Sequence, residues 1–476
     1  MGWDVPETFL FDPEPAVRAV ALELYQQTHP LGIISPHGHV PPTLLADPKA
    51  RFLHPTELLI RHDHYVFRLL YSQGVPLESL GVGMPEGSYD PLEAWKVFCQ
   101  HFHLFDGTPT GLWLRLELTR LFGLREKPNP RNAATLYEQI QVALEDPAFT
   151  PRALFQKFRV EVLATTDAPE DDLSAHLKAQ QDGYRVIPTF RPDGLLQVLR
   201  PDWKKRLAQL EVATNRSIAT YSDLFEALRQ RRQAFKRAGA TATDHSSANV
   251  RIEPLPESEA ERLFALALKG AIDPEQAERL EAHALFDQAQ LSAQEDGLVM
   301  QLHLGVTRNH NRALYERLGS DMGADIPHAV DWTRGLQPLL EAFGDPSQGK
   351  PLTLILFTLD ESTYTRELAP LAGHYPGVRL GAPWWYFDSV LGIERYLDAV
   401  SETATFYNTA GFNDDTRAFV SIPARHELWR RVVANWLARK VGRGILEPEE
   451  AHRLMRLSAY DLALQAYGLE VQRQPR

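Results

Sequence analysis

The sequence predicts an α/β protein, a (β/α)8 TIM-like barrel with a helical insertion between the first and second strands and a smaller helical insertion further on. Three observations carry this. Short apolar, β-branched runs recur with long helical segments between them, the pattern of βα units that build a parallel sheet. Eight such runs can be picked out, the number that closes a barrel. Several of them end in polar or ionisable residues, as happens when catalytic groups collect at the C-terminal ends of barrel strands.

The first run, Leu31-Gly32-Ile33-Ile34, leads into Ser35-Pro36-His37-Gly38-His39 before the Pro41-Pro42 break. Residues 45–150 then carry amphipathic, helix-like segments with Pro and Gly breaks, such as 91–98. This stretch is expected to be a helical insertion that contributes to the active site, with 1–44 and 151–476 forming the barrel. Further strands are expected at 160–165, 185–190 and 240–245. The Ala-, Glu- and Leu-rich stretch 253–294 is the smaller helical insertion. Four more strands are expected at 298–303, 352–357, 378–383 and near 407–414. Polar strand ends recur as Thr166-Asp167, Arg191-Pro192-Asp193, Asp244-His245, His303, Trp384-Trp385 and Asp414-Asp415.

Composition removes whole classes of function. At 476 residues and 44% hydrophobic content the chain exceeds the ~250 residues of a minimal barrel. A formal net charge of -12 argues against nucleic-acid and acidic-membrane binding, so an anionic substrate requires local arginines. A single cysteine, Cys99, excludes an intrachain disulfide and reads as a buried small hydrophobe. The start Met1-Gly2-Trp3-Asp4 lacks a basic n-region and an apolar h-region, and no apolar stretch reaches the ~20 residues of a membrane span. These features predict a cytoplasmic protein without a membrane partner.

Side chains at i and i+2 on a strand share a face, so His37 and His39 can offer two nitrogens to one cation, with Gly38 leaving room. His62/His64 and His101/His103 repeat the spacing but lie in segments that read as helical. There, residues two apart point about 200° apart. His303 closes an apolar strand and Asp415 stands two residues before Arg417, so both are candidate ligands. Each also has a plainer reading, as a core histidine and as a helix cap, and spacing does not choose. Two nitrogens, a carboxylate and an open position suit Zn²⁺ best, with Mn²⁺ or Fe²⁺ also accepted. Trp384-Trp385 could wall a pocket, and Arg191, Arg308 and Arg417 could clamp a carboxylate. No G-x-S-x-G elbow, P-loop or dinucleotide fingerprint stands in the required setting, so serine hydrolase, nucleotidase and dehydrogenase readings lose support.

Taken together, His37-Gly38-His39, Asp63-His64-Tyr65 with Phe67-Arg68, Thr165-Thr166-Asp167-Ala168-Pro169, Arg191-Pro192-Asp193, Thr243-Asp244-His245, Gln301-Leu302-His303-Leu304-Gly305 with Arg308-Asn309, Trp384-Trp385, and Asp415-Thr416-Arg417 leading to Arg425-His426-Glu427 resemble the uronate (glucuronate) isomerases of the amidohydrolase superfamily, almost end to end. The resemblance implies an intramolecular oxidoreductase, a metal-dependent aldose-ketose isomerase of hexuronates. Its reaction would take D-glucuronate to D-fructuronate, D-galacturonate to D-tagaturonate, or both, by proton transfer between C2 and C1. It implies His37, His39 and Asp415 as ligands of one divalent metal, with His303 close to or on it. Asp415 is then the candidate base, Tyr65 a proton donor and His64 a competing acid–base group. Arg191, Arg417, Trp385 and His303 would surround a small-molecule hexuronate, and the helical insertion offers a surface for a homo-oligomer. The chain departs from the family pattern at Ser35, where an aspartate is usual. The alternatives are a metal-dependent hydrolase of a sugar-acid lactone or amide on the same scaffold, and a non-catalytic sugar-acid-binding protein.

Overall fold

Seven of the eight expected runs form parallel strands in the computed structural model, which describes residues 3–349 and 351–470. They are Ile33–Ser35, Val160–Ala164, Val186–Ile187, Ala242–Ser247, Val299–Leu304, Leu354–Phe357 and Val378–Leu380. The first three pair in chain order, and so do the next four. Single parallel bridges, Asp167 to Phe190 and Phe190 to Thr243, stitch the two groups together. The eighth run reaches the ring through one bridge, Leu380 to Thr409, and the His39 amide donates to the Thr416 carbonyl at 3.0 Å, joining the last run to the first. This is the expected α/β barrel.

Where strands are shorter than expected, proline and glycine explain it. In the third run the regular strand ends at Ile187 because Pro188 has no N–H to give toward the fourth strand, where pairing begins at the Phe190 amide, although Thr189 still donates to the Thr165 carbonyl of the second strand at 3.0 Å. The eighth run turns at Gly411, whose φ is +71° and where a Cβ would stand 2.7 Å from the Ala463 amide nitrogen. The first strand ends at Ser35, before Pro36, which corrects the expectation that His37 and His39 ride a strand. They sit on the turn beyond it. The reading of 62–64 as helix is corrected too: the chain breaks at Asp63, whose side chain caps the helix His64–Tyr71 by accepting from the Tyr65 amide at 2.9 Å.

One residue in two along each strand points into the barrel. Ile34, Val162, Ala164, Ile187, Ala242, Val299, Ile355 and Phe357 share one apolar cluster with Trp384 and Trp385. Leu302, Leu304, Leu354 and Leu356 face the other way, into the large core under the surrounding helices. The same alternation turns Asp244 toward the Asp244–His303 pair and leaves His245 paired with Thr243 on the opposite face. Helices Pro91–Gln100, Pro109–Leu116 and Ala133–Glu145 lie in the 45–150 stretch. They bury Trp95, Phe98, Cys99 and Ile140 in a cluster that also takes Ile33, Val160 and Val186 from the first three strands. Helices Glu257–Lys269 and Pro274–Leu291 account for 253–294. Among the described residues no helix is long and apolar enough to cross a membrane.

Candidate active site at the mouth of the barrel

His39 Nε2 stands 3.0 Å and His37 Nε2 3.4 Å from Asp415 Oδ1. The three donor atoms lie within 4.8 Å of one another. Asp415 Oδ1 is buried and accepts no hydrogen bond, so its lone pairs and those of two imidazoles face shared space. That donor set of two nitrogens and a carboxylate oxygen fits a divalent cation. Asp415 adopts φ +42°, a strained conformation for a non-glycine residue, and its neighbours hold it there. The buried Arg425 donates to the Asp414 carbonyl at 3.0 Å, and His426 Nε2 pairs with Asp414 Oδ2 at 3.1 Å.

A second group joins His37 to Asp244 and His303. His303 Nδ1 is 2.7 Å from Asp244 Oδ1, its ring stacks on His37 at 5.1 Å, and its Nε2 is buried without a partner. Burial would raise Asp244's carboxyl, but His303 and Arg191 hold it well below the usual range. Burial pulls His303 down to about 4. Burial would also lower His37, but the charges of Asp244 and Asp415 outweigh it and raise it. Asp415's carboxyl, despite burial, is held well below its ordinary value by the two imidazoles.

These residues open on a cavity of about 40 Å³ also lined by His64, Arg191, Arg308, Asp321, Trp385 and Arg417. Its cations are all paired: Arg191 with Asp193 at 2.9 Å and Asp244 at 3.4 Å, Arg308 with Asp325 at 2.6 Å, Arg417 with Asp321 at 2.8 Å. His64 packs edge-on against Trp385, centroids 4.1 Å apart. Burial, with Arg417 adding to it, holds His64 well below its usual value and therefore neutral.

The expected set thus converges, with one correction. Tyr65 is buried, packs behind Trp385 at 4.5 Å and donates its hydroxyl to Asp388 at 3.0 Å, so it is not in the cavity wall. Arg425 stacks on the Tyr65 ring at 4.4 Å and shares Asp388. As a helix N-terminal residue, Tyr65 points one position round from His64, and only His64 reaches the cavity.

A family model described as glucuronate isomerase matches residues 6–465. The chain belongs to the glucuronate isomerase family. It is 51% identical over 463 residues to a uronate isomerase of Nostoc punctiforme, covering 97% of both chains. The crystal structure of a glucuronate isomerase from Caulobacter crescentus superposes with a TM-score of 0.95 at 43% identity, covering 99% of this chain and 98% of that one. A uronate isomerase structure from Thermotoga maritima gives 0.90 at 28% identity, over 98% and 99% of the two chains. As a member of this isomerase family the chain is an enzyme, and its mouth residues are the place to look for its chemistry. Sequence reasoning passed over Asp321, Asp325 and Asp388, which lie in loops without a motif, and left Arg425 as part of a pattern without a task. Asp244 was signalled as an ionisable strand end, and the structure places it inside a wholly buried strand.

Proposed function

We propose that this isomerase interconverts hexuronates and their 2-keto isomers, D-glucuronate with D-fructuronate, D-galacturonate with D-tagaturonate, or both. The observation that carries the reading is the meeting of His37, His39 and Asp415 in one cavity with Arg417, two residues past Asp415. His37, His39 and Asp415 would hold one divalent metal, Zn²⁺ by preference, which when bound supplies a Lewis acid toward the sugar oxygens. The 45–150 insertion contributes His64 to a site otherwise built by the barrel segments 1–44 and 151–476.

Moving a proton from C2 to C1 of the open-chain sugar needs a base, an acid and stabilisation of the enediolate. Asp415 is ionised at neutral pH and serves as the base. His64 enters neutral, so it can take or return a proton at the sugar oxygens. Arg417 and Arg191 receive the substrate's carboxylate, with Arg417 Nε buried and still without an acceptor. His303, fixed by Asp244, borders the reacting end, and Trp385 excludes water from it. Tyr65 takes the supporting part, holding Asp388 and the Trp385 ring rather than donating directly.

The test is an NMR assay of metal-loaded enzyme with D-glucuronate in D₂O. The 2-keto product should appear, and an Asp415→Asn variant should lose about 10³-fold in kcat, within the ~10²–10⁴ of ordinary acid–base groups; a larger loss would mean that binding of the metal fails too. Hydrolysis of a sugar-acid lactone with no keto product from any uronate would replace this reading with the hydrolase.

A further inference from the structure

We propose that Asp321 occupies, in the substrate-free enzyme, the place on Arg417 that the substrate's carboxylate takes, so that Asp321 sets how tightly uronates bind. This rests on the reading of Arg417 as the carboxylate's partner. The cavity's roughly 40 Å³ admits a few waters, far below the ~300–1,000 Å³ of ordinary ligand sites. A hexuronate therefore enters only if something leaves.

The three ion pairs lining the cavity differ in how firmly the acid is tied. Asp193 accepts both the Arg191 Nε and the Ser246 amide, and Asp244 is fixed by His303. Asp325 is buried and accepts the Asn309 amide at 3.0 Å as well as Arg308. The Asp321 carboxylate has one partner among the described residues, Arg417 NH2 at 2.8 Å, and its side chain is 46% exposed. It sits at the mouth, on a residue with φ +65°, in the loop segment between the fifth and sixth barrel strands. Among the described residues its other tie is a backbone one, its amide to Asn309 Oδ1 at 3.3 Å.

Exchange of one carboxylate for another on Arg417 conserves charge and hydrogen bonding. It leaves Arg417 Nε, which now donates to nothing, for the second oxygen of an incoming carboxylate, converting a single contact into a bidentate one. To swing into water Asp321 gives up one half-exposed ion pair, worth only ~0–1 kcal/mol, together with the weaker pull of His64, His39 and Arg308. Burial would raise its carboxyl, but Arg417 with these groups holds it below the usual range. The pair compensates the Arg417 charge and so favours ligands that bring their own carboxylate.

The experiment measures KM and kcat/KM for D-glucuronate with metal-loaded Asp321→Asn and Asp321→Ala enzymes. Removing the competing carboxylate should lower KM and raise kcat/KM by about two- to five-fold, a range set by an exposed pair of up to ~1 kcal/mol. The difference should shrink as salt rises, because the pair is screened. An unchanged or raised KM in both variants would overturn the proposal, since Asp321 would then be idle or would be helping substrate bind. Arg417→Met separates the underlying reading: KM rising more than about ten-fold keeps Arg417 as the carboxylate's partner, whatever Asp321 does.

Discussion

Besides Asp321, two non-glycine residues of the site, Trp385 at φ +63° and Asp415 at φ +42°, hold backbone conformations that cost of order 1–3 kcal/mol each. Such strain persists only where the surroundings impose it, and here both flank the same buried guanidinium. Arg425 NH1 reaches Asp388, three residues after Trp385, and the carbonyl of Asp414, just before Asp415. Ser35 is fully buried with a hydroxyl that bonds to nothing. A hydroxyl without a partner contributes no hydrogen bond while keeping its desolvation cost, so Ser35→Ala should leave stability unchanged or raise it by up to ~1 kcal/mol, read from a denaturant midpoint. A loss above that would reveal a partner for Ser35, such as a bound water. That His37, His39, Asp415 and Arg417 come together was legible because they stand in two short patterns, two histidines two residues apart and an aspartate two residues before an arginine. Asp388 and Asp321 were not, since their partners lie hundreds or tens of residues away in sequence, at Tyr65 and Arg417.

At the scale of elements, the helix Ser421–Gly442 locks the mouth from behind. Its Arg425 and His426 fix the Asp414–Asp415 turn, while Arg430 donates to the Gly32 carbonyl at 2.7 Å, beneath the first strand. One helix thus ties the beginning of the ring to its end. Arg425→Lys keeps the charge but cannot keep both the Nε bond to Ser421 Oγ at 3.2 Å and the NH1 bonds to Asp388 and the Asp414 carbonyl, because it lacks the planar fork. Metal affinity should fall by about 10–100-fold, as it does when groups that orient ligands are removed, measured by competition with a chelator. Unaltered affinity would show that Asp415 holds its geometry alone. The barrel's strands were readable from apolar periodicity, but their ends were set by Pro36, Pro188 and Gly411. Periodicity gave too little weight to those breaks, so the expected strands ran too long.

Across the whole molecule, buried carboxyls couple folding to pH. Glu117, on the insertion side, is 5% exposed, and burial beside Asp63 raises it to about 7 from 4.5, with Ser421 and Arg425 pulling the other way. Asp388 on the barrel side is likewise pushed by burial to about 7. A carboxyl whose folded value lies above its unfolded one keeps its proton in the native state where the unfolded chain has lost it. The native state is then penalised progressively as pH climbs from about 4.5 to about 7, and by a constant amount above that. For Glu117 the separation corresponds to about 3 kcal/mol at the plateau. Glu117→Gln cannot ionise, so its stability relative to the parent should grow from a fixed offset near pH 4.5 by up to that amount near pH 8. Because Asp388 titrates in both proteins, subtracting the two denaturant curves at each pH isolates Glu117, apart from what passes through Asp63 and Arg425. A difference independent of pH would mean that Glu117 is ionised in the folded protein throughout, and that the contact between insertion and barrel carries a charge it is here assigned to lack.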